Sequence, residues 1–137
     1  MRQLLYVSTS NHLMSQEDLK ELLKTCIKGN TAHHVTGVLT YVYNRFIQCI
    51  EGKQEDIEQL ITNIRKDERN KSVSVLRDIE IKDRAFNGWS MGYVKYDNDT
   101  MVINDAFFKI SNLNDLKQIK GLDDELFTLM ANFYRSS

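Results

Sequence analysis

The sequence contains no proline, only two cysteines and six glycines in 137 residues, and no long apolar run. Without proline there is no proline-rich linker, and neither an internal repeat nor a low-complexity segment interrupts the chain. Cys26 and Cys49 both sit in apolar surroundings and neither has the CxxC spacing of a redox or zinc motif, so both read as buried thiols. A formal charge of -1 gives no reason to expect nucleic acid or acidic lipid as a partner. No stretch approaches the roughly 20 apolar residues of a membrane span, and the first residues carry no signal-peptide pattern. The expected location is the cytoplasm. His33 and His34 read as loop residues with no third ligand in view, so no metal site is expected.

What is present suits one globular domain: 42% hydrophobic and 27% charged residues can bury a sizeable core. The stretch from Thr36 to Gly52 reads as two β-strands joined at Tyr43-Asn44-Arg45, because β-branched and aromatic residues dominate both arms. One residue does not fit. Gln48 lies among Phe46, Ile47, Cys49 and Ile50, in a strand with the look of burial on both faces. Leaving its amide unpaired there would cost about 1–3 kcal/mol, so a polar partner is expected.

Taken in order, Leu4 to Ser8 forms a first strand with Leu4, Tyr6 and Ser8 on one face. Ser15 with Asp18 three residues on is close to a capping box, and Leu19, Leu22, Leu23, Cys26 and Ile27 follow at helical spacing. Gly29 or Asn30 can supply the left-handed residue that ends this helix. A second helix is predicted from Gln54 to Lys66, with Ile57, Leu60, Ile61 and Ile64 on its apolar side. Val73 to Ile81 reads as a strand near an edge, and Trp89 to Val94 as another short strand. The order βαββαββ implies an α+β, ferredoxin-like sandwich with an antiparallel-rich sheet and two helices on one face.

Residues 1–95 form this domain, and residues 96–137 read as a C-terminal helical extension. It opens with a turn-rich linker, Tyr96 to Asp99, and carries one short helix at Leu113, Leu116 and Ile119, stopped by Gly121. A last helix starts near Asp123 to Glu125 with Leu126, Leu129, Met130 and Phe133 on one side. Both are expected on the sheet's other face, against Leu5, Val7, Leu39, Tyr41, Ile47 and Cys49.

Tyr6 and Gln48 occupy strands that such a sheet places side by side, where hydroxyl and amide can form one buried hydrogen-bonded pair. Considered alone, that is only a satisfied polar pair in a core. Asn30 alone is a helix cap, and Trp89 and Met91 are core. Together, however, Tyr6 in Leu-Leu-Tyr-Val-Ser, Asn30 before Val35-Thr36-Gly37-Val38-Leu39, and Phe46-Ile47-Gln48-Cys49-Ile50-Glu51-Gly52 resemble the BLUF domain, a flavin-binding blue-light sensor. Asp67-Glu68-Arg69 and Trp89-Ser90-Met91-Gly92 extend the resemblance without a gap to Met91, and the tail is similar to that of short, stand-alone members.

The resemblance implies a flavin, FAD with FMN or riboflavin as alternatives, lying between the two helices with Leu22 and Ile64 as walls. Asn30 and Gln48 would bind the polar edge of the ring, and Asp67 and Arg69 its ribityl and phosphate end. Tyr6 would bind Gln48 and pass an electron and a proton toward the excited flavin, after which the hydrogen bonds are left rearranged and the absorption shifts red. Trp89 and Met91 would transmit the change. The sequence departs from the family pattern at Gly29, His34, Asn63 and Asn70. A non-enzymatic sensor of this kind acts through a downstream signalling protein or self-assembly, with Phe107, Phe108 or Phe127 as contact surfaces and a homo-oligomer as the expected state. Two alternatives from other classes stand beside it. A small acylphosphatase-like enzyme would need an arginine in the loop after Tyr6, which holds Ser8, Thr9, Ser10 and Asn11 instead; a dimerising regulatory module would leave Gln48 unexplained.

Overall fold

The computed structural model describes residues 1–95, 109–112, 116, 119 and 122–135. Strand β1 (Arg2–Ser10) leads to helix α1 (Gln16–Ala32), the hairpin β2 (Thr36–Val42) and β3 (Arg45–Gly52), helix α2 (Gln54–Lys66) and strand β4 (Asn70–Glu80). Strands β5 (Gly92–Lys95) and β6 (Lys109–Asn112) and helix α3 (Asp124–Arg135) follow. The six strands form one sheet in the order β4-β1-β3-β2-β5-β6. β1, β2, β3 and β4 pair antiparallel, whereas β5 runs parallel to β2 and β6 parallel to β5.

Local chemistry sets the boundaries. Ser15 accepts from the Asp18 backbone N–H and Asp18 reaches back to the Ser15 N–H, a complete capping box that fixes the start of α1. The hairpin turns on Tyr43 and Asn44, both left-handed with φ of 48° and 68°, the pair of signs that matches the twist of the flanking strands. At Gly37 a Cβ would lie 2.0 Å from the Cys49 carbonyl oxygen, so only glycine lets β2 approach β3 this closely. β4 lies at the sheet edge, as its charged residues predicted.

Two cores flank the sheet. Leu4, Tyr6, Leu39, Tyr41, Phe46 and Ile50 pack under Leu19 and Leu23 of α1 and Ile57 of α2. On the opposite face Leu5, Val38, Val42, Ile47 and Cys49 pack against Leu126, Met130 and Phe133 of α3. Leu39 and Tyr41 therefore do not lie beneath the C-terminal helix. They stand opposite Gln48 and Phe46 in the β2–β3 ladder, cross-strand partners share a face, and Val38 and Val42 take the expected place.

Three other expectations are corrected. α1 runs through Gly29 and Asn30 to Ala32, and the left-handed residue after it is His34, with φ of 54°. The strand predicted from Trp89 begins only at Gly92, because the ladder with β2 starts there, opposite Val38, and Trp89 to Met91 belong to the connector before it. The tail is not wholly helical, since Lys109–Asn112 adds a sixth strand. α3 forms where predicted, while Tyr96 to Asp99, Leu113, Phe107 and Phe108 lie outside the described residues.

Candidate functional site

A cavity of about 330 Å³ opens between α1 and α2 above the sheet. Its floor comes from the strands. Tyr6 of β1 and Gln48 of β3 are direct register partners, so the pleat sends both side chains to the same face. The Tyr6 hydroxyl donates to Gln48 Oε1, and Gln48 Nε2 donates to the Met91 sulfur at 3.6 Å. Both residues are only 4% exposed, so the polar partner that Gln48 required is supplied twice over. Burial pushes the Tyr6 phenol well above its ordinary value, which keeps the proton on the hydroxyl and the hydrogen bond intact.

The helices supply the walls. Leu22 of α1 and Ile64 of α2 line the cavity from its two sides. Asn30 is buried in the last turn of α1, where its Nδ2 donates to the Ser90 carbonyl at 2.6 Å; it is a bridge to the connector rather than a cap. Asp67, just past α2, holds Arg69 through paired hydrogen bonds, the shortest of 2.6 Å, and the guanidinium keeps its carboxyl below the ordinary range. The seven expected binding residues, Tyr6, Leu22, Asn30, Gln48, Ile64, Asp67 and Arg69, thus all line one cavity.

Trp89 and Met91 separate. Met91 is buried on the cavity side against Gln48, whereas Trp89 packs on the opposite core with its ring 6.1 Å from that of Phe86. The structure does not bring Trp89 to the cavity. Reasoning from sequence missed Phe46 and Cys26 among the lining residues and the contact of His33 with Asp56, 3.6 Å apart at the cavity wall. Phe46 carried a signal: it lies two residues before Gln48, hence on the same strand face.

The donor set suits a flat ring with one polar edge. Apolar walls face each other across the cavity, and the amides of Asn30, Gln48 and Asn70 converge on it. Among the described residues Asn70 Oδ1 is buried with no hydrogen-bond partner, and a donor on a bound molecule would satisfy it. Among the described residues, no three His, Cys, Asp or Glu side chains gather into a metal site, and no helix is long and apolar enough to cross a membrane.

Fold and cavity together define a small α+β module with a buried tyrosine–glutamine pair on the floor of a cavity between its first two helices. The family model for BLUF, described as sensors of blue light using FAD, matches residues 1–92. The chain belongs to that family: it is a flavin-binding blue-light sensor module. It is similar to the photoactivated adenylate cyclase subunit beta of Euglena longa, with 32% identity over 83 residues, 61% of this chain and 10% of that protein. The chain thus spans about a tenth of the length of the curated relatives it matches. Among solved structures it is similar to BlsA in its photo-activated state, with 35% identity, a TM-score of 0.64 and 67% of each chain covered. The ground state of BlsA matches with 26% identity and a TM-score of 0.68 over 96% of this chain and 85% of that one.

Proposed function

We propose that the cavity between α1 and α2 holds FAD, with FMN or riboflavin able to present the same ring, and that Tyr6 and Gln48 form the photoactive pair. Leu22 and Ile64 sandwich the ring, Asn30 and Gln48 bind its polar edge, and Asp67 and Arg69 face its ribityl and phosphate end. The bound flavin supplies a blue-absorbing ring that accepts an electron when excited. Tyr6 gives up an electron and its hydroxyl proton and then regains both. During that exchange Gln48 loses the Tyr6 donor, and its amide is free to change partners. One observation carries this proposal: the Gln48 amide is held by Tyr6 on one side and Met91 on the other, so a change at Tyr6 reaches Met91 through one side chain.

Absorption spectra in darkness and after blue light test it, taken for the protein and for the Gln48→Leu and Tyr6→Phe variants. The protein is expected to show a flavin spectrum that moves red and recovers in darkness, and both variants to retain flavin without the shift. A colourless protein that refuses added flavin overturns the proposal.

Residues 1–95 serve as the sensor and residues 96–137 as its extension. The signal passes to a separate protein or through self-association into a homo-oligomer, in the cytoplasm; Phe127, half-buried on α3, is the described residue of the expected contact surface. The cyclase named in the Euglena relatives is the precedent for an effector coupled to such a module.

A further inference from the structure

β3 holds the connector between β4 and β5 at two points, midway along it and at its last residue, from opposite faces of the sheet. Gln48 on the cavity face reaches its last residue, Met91. Three residues along the strand, hence on the other face, Glu51 is fully buried, and its two carboxylate oxygens accept the backbone N–H groups of Ala85 and Phe86 at 3.0 and 2.9 Å. The same carboxylate accepts from Gln3 Nε2 at 2.8 Å and, more weakly, from Thr36 Oγ1 at 3.4 Å. Arg84 adds hydrogen bonds to the Thr36 hydroxyl and the Glu51 carbonyl, both at 2.9 Å. A buried carboxylate is retained only where donors replace its water, and here two of those donors belong to the connector.

Between the two grips the connector folds back on itself. The Trp89 N–H bonds the Phe86 carbonyl around Gly88, whose φ of 83° suits glycine. The indole of Trp89 then lies on the backbone of Gly92, where a Cβ would meet the ring at 2.3 Å.

We propose that Glu51 is a positioning residue of the sensor, clamping Ala85 and Phe86 to the strand that carries Gln48 and so setting where Trp89 and Met91 sit. This rests on the photosensor proposal above. Glu51 touches none of the cavity, so its replacement acts on the connector and leaves flavin binding in place. Glu51→Gln retains one acceptor oxygen and turns an amide N–H₂ toward a backbone N–H, which breaks one of the paired bonds.

Trp89 is the single tryptophan of the chain, so its fluorescence reports on the connector alone. Acrylamide quenching of Trp89 and dark recovery of the flavin spectrum are measured for the protein as purified and for Glu51→Gln, Gly92→Ala and Thr40→Val. Thr40→Val removes a different buried hydrogen bond, to the Val94 carbonyl, and controls for lost stability. Glu51→Gln and Gly92→Ala are each expected to raise Trp89 quenching and to change the recovery rate several-fold, with the size of the red shift unchanged and Thr40→Val like the parent. Quenching and recovery like the parent's in Glu51→Gln overturn the clamp, as does an equal change in Thr40→Val or loss of the red shift itself. If Glu51→Gln does not fold, Arg84→Met, which removes the connector's bonds to the Thr36 hydroxyl and the Glu51 carbonyl at the same grip, decides by the same readouts, parent-like quenching and recovery overturning the clamp. Should the parent bind no flavin, the photosensor proposal fails while quenching still tests the clamp.

Discussion

At the scale of single residues, burial governs chemistry. Cys26 lines the cavity, and burial pushes its thiol up to about 11 from an ordinary 9.0. Its reactive thiolate is therefore about a hundredfold scarcer at pH 8 than that of an exposed cysteine. Alkylation of Cys26 by iodoacetamide is expected to be correspondingly slow, to accelerate as pH rises, and to slow further when flavin fills the cavity. A rate equal to that of a free thiol would place Cys26 outside the cavity. Cys49, fully buried and also shifted up, should react only on unfolding. The pairing of Gln48 with Tyr6 was legible because one amide in an apolar run must find a partner, and strand parity left few candidates. Glu51 was not: followed by Gly52 at a strand end, it has the pattern of an exposed turn, and only the returning connector buries it. Asn30 was legible as a polar residue at the end of a helix, but its tie to the Ser90 carbonyl joins residues 60 apart in sequence.

At the scale of elements, a hairpin turn can be improved where its residue is wrong for its angle. Tyr43 is 73% exposed, so it contributes little packing, yet it sits at φ 48° where a side chain crowds its own backbone. Replacing it with glycine is expected to stabilise the protein by about 0.5–1 kcal/mol, read as a higher urea midpoint with unchanged slope. Asn44 should be left alone, because it accepts from the Ser10 hydroxyl and ties the hairpin to β1. A lower midpoint in Tyr43→Gly would mean that the tyrosine packs in solution. The same local rules explain which elements sequence could place. The capping box at Ser15 and the amphipathic runs of α2 and α3 are signals contained within one element. The start of β5 is not, since Trp89, Met91 and Tyr93 alternate like strand residues while only Tyr93 is in the ladder. β6 has four residues and takes its place from β5 alone, a partner that sequence does not announce.

At the scale of the molecule, the question is what holds α3 to a sheet whose other face carries the cavity. Apolar contact does most of it, with Leu126 and Met130 fully buried against the strands. The helix is also strapped near both ends. The Arg77 guanidinium of β4 donates to both Asp123 oxygens at 2.6 and 2.7 Å, and Asp123 in turn accepts the Leu126 N–H at 2.8 Å. At the other end the Arg45 guanidinium lies 4.6 Å above the Phe133 ring. The hydrogen bonds from Arg77 hold the Asp123 carboxyl below its ordinary 3.8. A carboxylate with a depressed folded value contributes stability above the unfolded value, and that contribution is lost as pH falls through the folded one. Asp123 is about half exposed, so the strap contributes at most about 1 kcal/mol. Arg77→Met keeps the aliphatic packing and removes a buried Nε that has no hydrogen-bond partner among the described residues, which offsets part of the loss. The variant should therefore be slightly less stable than the parent at pH 7, with the difference vanishing once acid protonates Asp123 in both. Chemical denaturation at pH 7 and at a pH well below 3.8, beneath the lowered folded value, measures that convergence. A gap that persists in acid would mean that Arg77 stabilises the sheet edge by packing alone, and that α3 is held by its apolar face without the strap.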